Sequence, residues 1–186
     1  MAIKTMTGAT TGQNPYSKGW HTVTITKAEE GNWNDTKYID VFFDGYKDNF
    51  KLRVYPKYNA TTNEEFAVAR LFKLANAGII SVLKDETGNK PVIQYDDNLE
   101  NLAGKKLNVF VVPDKKNDKY SRIWDRFAPV EQEGQHLTYT ADDVTYYKGQ
   151  AEDAYNKFGT PNSQDKTENW VHNNATETKT AEEMPF

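Results

Sequence analysis

Three segments in the first part of the chain alternate apolar and polar residues with a period of two, and this pattern limits the possible folds more than any other feature. The segments span residues 19–28, 37–44 and 48–55 and are rich in β-branched and aromatic residues. Such alternation is typical of strands that bury one face. It predicts three antiparallel strands, with a first turn at residues 31–35. The side chains expected to face inward are His21, Val23, Ile25, Ile39, Val41, Phe43, Phe50, Leu52 and Val54.

The period changes to that of a helix after Pro56. Thr62 and Glu65 have the spacing of a capping box, in which each side chain accepts a hydrogen bond from the other residue's backbone N–H. Gly78 stands where many helices end in a left-handed conformation. These features predict one amphipathic helix at residues 62–77. Its apolar face consists of Ala67, Val68, Leu71, Leu74 and Ala75.

Two more strands are predicted after the helix, at residues 105–112 and 119–128, and a proline follows each of them. Residues 96–104 form a short helical turn before them. The predicted order of three strands, one helix and two strands is that of the OB-fold, a small five-stranded Greek-key barrel. A parallel α/β sheet would need a helix between successive strands. The sequence therefore predicts a mainly β fold, a five-stranded OB-fold barrel with its helix between strands three and four.

Charge and composition change together after Val130. Residues 1–130 carry 19 Lys and Arg against 16 Asp and Glu, whereas residues 131–186 carry 4 Lys against 11 acidic residues. Leu, Ile, Val and Phe fall from about 24% to about 9%, and below about 20% a segment of one charge tends to be disordered. We predict a loose leader at 1–18, an OB-fold domain at 19–130 and an acidic, largely disordered tail at 131–186. Four aromatic residues could dock pieces of this tail on the domain: Tyr146, Tyr147, Tyr155 and Trp170.

The outward faces of the predicted strands alternate aromatic and basic side chains. Such a surface suits single-stranded nucleic acid, because unpaired bases stack on rings while the phosphates need positive charge. Stacking contributes about 1–3 kcal/mol per base, whatever the base sequence. The simpler interpretation is that aromatic residues favour strands in any solvated sheet. The residues predicted to bind single-stranded DNA are Trp20, Tyr38, Phe42, Lys51, Arg53, Tyr55, Lys115, Lys116, Tyr120, Arg122, Trp124 and Arg126.

The last five residues are also unusual in composition. Glu182 and Glu183 precede Met184, Pro185 and Phe186, so that two acids adjoin an apolar ring held by a proline bend. A segment of this kind fits a hydrophobic pocket rimmed by Lys and Arg on a partner protein. We therefore predict a partner-binding tip at these five residues. The negative tail could also fold back on the basic face of the domain and compete with nucleic acid.

This tip resembles the C-terminal tip of bacterial single-stranded DNA-binding proteins, with Met184 where those proteins usually have Ile and with fewer adjoining acids. The domain segments GWHTVTITKAEEG, EEFAVARLFKLANAGI, NLAGKKLNVFVV and KYSRIWDRFAP resemble OB-fold single-stranded DNA-binding proteins of tailed bacteriophages, over about residues 19–130. The resemblance implies a protein that coats and protects single-stranded DNA in replication, recombination and repair. It also implies that the tip recruits replication and repair proteins, in the cytoplasm of a bacterial host.

Catalytic and metal chemistry find little support in the sequence. The absence of cysteine excludes a disulfide, a thiolate zinc site and a cysteine nucleophile. Asp40, Asp44 and the pair Asp96-Asp97 could bind Mg²⁺ as nuclease carboxylates do. However, no His or Lys has a spacing from them that would indicate a nuclease site. We predict no enzyme activity, no cofactor and no metal. The three histidines, His21, His136 and His172, are too far apart to suggest a metal site.

No apolar run approaches the length of a membrane span, and no secretory signal is visible, so we expect a cytoplasmic protein without a membrane partner. Two alternative functions remain open. One is a protein-interaction adaptor whose OB-like barrel binds a protein or an oligosaccharide. The other is a recombination mediator that anneals strands.

Overall fold

A computed structural model describes residues 16–84, 87–88 and 90–160. This part of the chain is mainly β, with seven strands in two antiparallel sheets and two α-helices. The strands are β1 (Gly19–Trp33), β2 (Thr36–Phe43), β3 (Leu52–Val54), β4 (Ile79–Lys84), β5 (Pro91–Tyr95), β6 (Lys106–Pro113) and β7 (Ser121–Ala128). The helices are α1 (Ala67–Ala75) and α2 (Ala141–Phe158), and a 3-10 turn covers Leu99–Leu102. Residues 1–15 of the predicted leader lie outside the described residues.

The larger sheet is built on β1. Residues up to Thr24 pair with β6, and residues from Ile25 onward pair with β2. A bulge between Ile25 and Lys27 separates the two ladders, and bulges bend a strand and increase its twist. With 15 residues, β1 is much longer than the usual strand of about 5–6 residues, and the bend lets it serve both halves of the sheet. The resulting strand order is β3-β2-β1-β6-β7.

The two edges of this sheet are β3 and β7, and no ladder joins them within the described residues. The sheet is therefore not closed into the predicted barrel, although its five antiparallel strands and the position of α1 agree with the prediction. The short β3 accounts for the gap. Only Leu52–Val54 are paired, against the predicted 48–55, and Phe50 lies in a turn where its N–H donates to the Lys47 carbonyl at 2.8 Å.

The turn between β1 and β2 is tighter than the sequence suggested. Asn34 and Asp35 form a two-residue connection and have φ values of 48° and 62°. Positive φ at both central residues defines a type I′ turn, whose twist matches that of the flanking strands, and Asn and Asp tolerate it better than most residues. The predicted turn at residues 31–35 is therefore wrong at its start, because β1 continues to Trp33.

Helix α1 starts and ends at different residues from those predicted. Instead of a box with Thr62, the Glu65 carboxylate accepts hydrogen bonds from the N–H groups of Ala67, Val68 and Ala69 at 2.8–3.0 Å. This carboxylate satisfies free donors of the first turn, so the helix begins after it. At the other end the helix stops two residues earlier than predicted, at Asn76 with φ of 52°, and Gly78 is also left-handed, with φ of 61°.

A second, two-stranded sheet of β4 and β5 follows α1, and the sequence analysis missed it. Its apolar side chains are partly exposed, with Ile80 at 58%, Leu83 at 51% and Val92 at 44%. Residues 99–102 form the short helical turn expected between residues 96 and 104. The Asn98 side chain caps this turn by accepting the Glu100 N–H at 3.1 Å.

The core lies between the inner face of the larger sheet and α1. Eight of the nine side chains predicted to face inward are buried, and Phe50 packs against them while partly exposed. The period-two pattern is therefore confirmed. From α1 the core receives Leu71, Phe72, Leu74 and Ala75, all without measurable exposure.

The ordered chain continues beyond the boundary predicted at Val130. Tyr139 is buried in the main core, and its hydroxyl donates to the Lys73 carbonyl at 2.8 Å. Burial raises the pKa of Tyr139 above its ordinary value. Thr140 then caps α2 through a reciprocal pair of bonds with Asp143. The prediction of a largely disordered segment is thus wrong for residues 131–151, because aromatic residues such as Tyr139 anchor this polar stretch to the core.

Residues up to Ala151 belong to one compact unit. From Glu152 a second unit begins, whose described part is the last two turns of α2 and a turn in which the Gly159 N–H donates to the Tyr155 carbonyl at 2.7 Å. In the described ranges, neither helix is both long and apolar enough to cross a bilayer.

If residues beyond Val130 are part of the folded domain, Tyr139→Ala should lower the free energy of unfolding by about 3 kcal/mol, since it removes a buried ring and a hydrogen bond. Tyr146→Ala is the matched control, because Tyr146 is 49% exposed. Urea unfolding followed by circular dichroism measures both. Equal effects of the two substitutions would contradict the assignment.

Candidate nucleic-acid interface

The structure distributes the predicted DNA-binding residues over four places rather than one surface. Five of them lie on or beside the outer face of β2 and β3, where Tyr55 also borders a cleft next to β7. The others lie on β7, in the β6–β7 turn and on the β6 side of β1. The first group is Tyr38, Phe42, Lys51, Arg53 and Tyr55. The rest are Arg122, Trp124 and Arg126 on β7, Lys115, Lys116 and Tyr120 in the turn, and Trp20 on β1.

A buried carboxylate organises the outer face of β2 and β3. Asp40 is 5% exposed and sits directly opposite Arg53 in the ladder. Arg53 holds it with two hydrogen bonds of 2.7 and 2.9 Å, and Lys51 Nζ lies 2.7 Å from its Oδ2. Burial opposes ionisation, but the bonds and charges of Arg53 and Lys51 outweigh it, so the pKa of Asp40 lies below its ordinary value. Two predicted phosphate-binding cations are therefore already paired within the protein.

The ring of Tyr38 lies flat beside this ion pair. The Arg53 guanidinium is 3.8 Å from the ring centroid, and Tyr55 meets the ring edge-on at 5.7 Å. On the neighbouring strand Gly31 is paired with Tyr38, and a β-carbon at Gly31 would collide with the ring. Glycine is needed here so that the ring can cross β1. The result is a cluster in which Arg53 lies over the Tyr38 ring and Tyr55 meets that ring edge-on.

Phe42 was predicted to lie on the outer face and to be accessible for stacking a base. The predicted accessibility is wrong. Phe42 is on the outer face but only 8% exposed. The ammonium groups of Lys27 and Lys51 lie 4.5 and 5.0 Å from its ring centroid. Long lysine stems cover apolar surface while their charged ends stay near water. Phe42 therefore supports the two lysines instead of presenting a stacking surface.

A cleft of about 120 Å³ lies between the end of β3, the start of α1 and β7. Tyr55 and Phe66 line it and are 37% and 49% exposed. Its charged lining is four cations and one carboxylate: Arg53, Lys57, Arg70, Arg126 and Asp125. The space suffices for several water molecules or a group of about five heavy atoms. This cleft brings together three predicted residues that are distant in sequence, namely Arg53, Tyr55 and Arg126.

The four cations of the cleft differ in their pairing. Arg53 is paired with Asp40, and Lys57 Nζ lies 3.8 Å from Asp125 Oδ2. In the part of the chain that the structure describes, the side chains of Arg70 and Arg126 make no hydrogen bond or ion pair. Burial lowers the pKa of Arg70, and the positive charge of Arg126 lowers it further. The cleft is therefore lined by two arginines that make no ion pair within the described residues, while Asp125 attracts Arg70 at longer range.

The alternation predicted for β7 fails at Trp124, which is 7% exposed. The pairing of β6 with β7 is irregular here. Val109 and Val111 of β6 are two residues apart, whereas their partners in β7, Phe127 and Ile123, are four residues apart. This irregularity changes which side chains are covered: Trp124 is buried and Asp125 is exposed. The Arg122 guanidinium lies 5.0 Å from the Trp124 ring. Trp124 is thus unavailable as a stacking platform.

Trp20 faces a different part of the sheet. It stands opposite Phe110 on β6, and the two rings stack with centroids 4.9 Å apart and an angle of 21°. The Lys148 ammonium of α2 lies 5.4 Å from the Trp20 ring. Trp20 therefore packs within the domain, as does Tyr147, which lies 6.0 Å from the Arg70 guanidinium.

The β6–β7 turn presents the remaining predicted residues. Lys115, Lys116 and Tyr120 are all exposed, Tyr120 at 67%. Asp114 organises the turn, since its carboxylate accepts the Lys116 N–H at 2.9 Å. Tyr120 precedes β7, whereas Arg126 lies near the far end of that strand. The turn is a second basic and aromatic position, separate from the cleft.

Sequence reasoning missed Lys57, Phe66 and Arg70 in the cleft. Lys57 and Phe66 flank a loop that a bridge between Tyr58 and Glu65 closes, which no periodicity reveals. Arg70 lay on the polar side of a predicted helix, where an arginine is expected for solubility. Arg70 becomes part of a site only in the folded chain, where α1 and β7 both line the cleft.

Asp40, one of the carboxylates considered for Mg²⁺, is occupied by its ion pairs, and no group of three His, Asp or Glu residues forms a metal site in the described ranges. The predicted partner-binding tip, Glu182, Glu183, Met184, Pro185 and Phe186, lies outside the described residues, as does Trp170.

Comparison of the chain with protein-family models, with curated proteins and with solved structures finds no match.

The depressed pKa of Asp40 makes a test of the outer face possible. Such a group stabilises the fold at pH values above the unfolded pKa of about 3.9, and this contribution is lost as the pH falls through the folded pKa. Asp40→Asn should lower the free energy of unfolding by about 2 kcal/mol at pH 7, at the low end for buried pairs because Lys51 and Arg53 remain 29% and 35% exposed.

The matched control is Asp44→Asn, because Asp44 is exposed at the end of β2. Urea unfolding at pH 7 and pH 3 provides the measurement. The difference between wild type and Asp40→Asn should shrink at pH 3. A difference that is constant across this range would show that the carboxylate charge contributes nothing.

Proposed function

We propose that this protein binds single-stranded DNA without catalysing a reaction, and that it holds extended strands unpaired and protected during replication, recombination and repair. The observation that carries the proposal is the continuity of the ring and cation surface. Tyr55 contacts Tyr38 on the outer face and also lines the cleft, where Phe66 and Arg126 lie. A strand could therefore pass from the Tyr38–Arg53 stack into the cleft, with bases on the rings and phosphates near the arginines.

We also propose that the fold is of the OB class. The order β3-β2-β1-β6-β7, with α1 between the third and fourth strands of the sheet, supports it. So does the position of the free edges, since Lys57 beyond β3 reaches Asp125 of β7. In OB-folds the face of strands two and three and the adjacent loops bind oligonucleotides. We propose a viral origin as well, and the resemblance of the sequence segments to tailed-phage proteins supports it.

The charge of the surface sets the expected strength of binding. Lys51 and Arg53 are paired with Asp40, so the contribution of phosphate contacts comes mainly from Arg126, Arg70 and partly paired Lys57. A small number of phosphate contacts predicts a moderate dependence of affinity on salt. Stacking on rings should then supply much of the binding free energy.

Tyr55→Ala should weaken binding of a dT oligonucleotide about 5- to 150-fold, because stacking contributes about 1–3 kcal/mol per base. Leu83→Ala is the matched control, since Leu83 is 51% exposed but belongs to the β4–β5 hairpin. Fluorescence anisotropy of labelled single-stranded DNA, duplex DNA and RNA at two salt concentrations measures both variants. Wild-type protein that fails to bind at low salt would refute the proposal.

The recruitment of replication and repair proteins through residues 182–186 belongs to the same proposal. Removal of these five residues should leave the affinity for the dT oligonucleotide unchanged or increased, because two negative charges are lost. It should abolish capture of partner proteins from a bacterial lysate. The two forms are compared by the anisotropy titration and by affinity capture. A truncated protein that no longer binds DNA would contradict this division of roles.

A protein-interaction adaptor is the second candidate, and the β4–β5 hairpin favours it. Ile80, Leu83 and Val92 expose large apolar surfaces on a sheet of only two strands. An isolated hairpin has marginal stability in water, and exposed apolar surface often marks a binding site for protein. Loss of partner capture in Leu83→Ala, together with absence of DNA binding by the wild type, would favour this function over the first.

A further inference from the structure

Arg70 and Arg126 differ from four cations of the outer face and the cleft, each of which has an acidic group within 4 Å. Lys27 pairs with Glu29, Lys51 and Arg53 pair with Asp40, and Lys57 approaches Asp125. Arg70 and Arg126 make no such contact within the described residues.

Two like charges are held together here at a cost. Arg70 projects from α1 and Arg126 from β7, and both line the same cleft. Partial burial removes water from Arg70, while the charge of Arg126 repels it. The compensating groups of the folded chain are weak, namely the Tyr147 ring at 6.0 Å and the exposed Asp125, which already faces Lys57. An arrangement of this kind is stabilised when an anion enters between the two guanidinium groups.

The chemistry of the pair restricts the anion. A guanidinium presents a planar fork of N–H donors that matches two oxygens of a phosphate or carboxylate. Two forks from different elements suit a tetrahedral group with several acceptor oxygens better than a planar carboxylate, which has only two. Tyr55 and Phe66 on the cleft wall offer apolar faces beside it. A phosphate that bears an adjacent base fits both parts of this lining.

We infer that Arg70 and Arg126 form a phosphate-binding pair that receives one phosphate of a bound strand, next to a base stacked on Tyr55 or Phe66. The inference rests on the proposed single-stranded DNA binding and assigns it a specific anchor. Arg70 is the new residue in this site, since neither the alternation of strands nor the exposure of aromatic rings points to it.

The dependence of affinity on salt tests the assignment directly. Each phosphate contact of a single strand contributes about 0.7 to the slope of log K against log salt concentration. Arg70→Gln and Arg126→Gln should each lower the magnitude of this slope by up to about 0.7 and weaken binding of a dT oligonucleotide about tenfold. Because both residues hold the same phosphate, the double variant should lose less than the sum of the single losses. Lys84→Gln, on the exposed hairpin, is the matched control and should leave the slope unchanged.

A second measurement uses the wild-type chain and does not require DNA binding or stable variants. The Arg Nε–Hε resonances are followed by NMR during titration with inorganic phosphate, against sodium chloride at equal ionic strength. Selective shifts of Arg70 and Arg126 support the pair.

The outcomes separate the inference from the proposed function. Shifts with phosphate but no binding of the oligonucleotide would retain the phosphate site, with free phosphate or a nucleotide as its source, and reject single-stranded DNA as its ligand. Oligonucleotide binding with an unchanged slope in both variants, or phosphate shifts no larger than those with chloride, would overturn the arginine pair and leave the proposed function standing.

Discussion

Strand β1 makes hydrogen-bonded ladders on both of its edges, and the arrangement of the rest of the domain depends on this double pairing. Its first residues pair with β6 and its later residues with β2, and the bulge at Ile25 and Lys27 turns the strand between them. As a consequence β3 and β7 become the free edges of the sheet. The cleft exists because these edges come near each other without pairing, and α1 supplies a further wall with Ala67 and Arg70.

The distribution of charge pairs distinguishes the outer face from the cleft. On the outer face a buried Asp40 fixes Lys51 and Arg53 and thereby orients the Tyr38 ring. This arrangement favours rigid geometry over free positive charge. In the cleft Arg70 and Arg126 make no ion pair within the described residues, and only the more distant Asp125 and two tyrosines offset the charge of Arg70. An extended strand has bases and phosphates in alternation. The fixed rings of the outer face suit the bases, and the guanidinium groups of the cleft suit the phosphates.

The inner half of the fold could be predicted from the sequence, because side-chain alternation depends on the geometry of single strands. His21, Val41 and Leu52 are buried as expected. The outer half could not, since exposure there depends on neighbouring strands. Phe42 is covered by lysines from β1 and from the segment before β3, and Trp124 is buried where β7 departs from regular pairing.

The predicted end of the folded domain was wrong because it relied on composition averaged over a long segment. The polar average of residues 131–186 hid Tyr139, which is anchored in the core by one ring and one hydrogen bond. The sequence indicated a surface of aromatic and basic side chains, but it identified only some of the residues that form the cleft. Arg53, Tyr55 and Arg126 followed from the outward faces of single strands, whereas Arg70 required the packing of α1 against the cleft.

Hydrogen exchange of the protein with and without a saturating dT oligonucleotide locates the surface that a bound strand covers. We expect slower exchange in the segments that line the ring and cation surface, residues 36–43, 53–58, 66–70 and 121–127, and no change in the β4–β5 hairpin. Protection confined to residues 79–95, or no protection anywhere at low salt, would contradict the proposed binding surface.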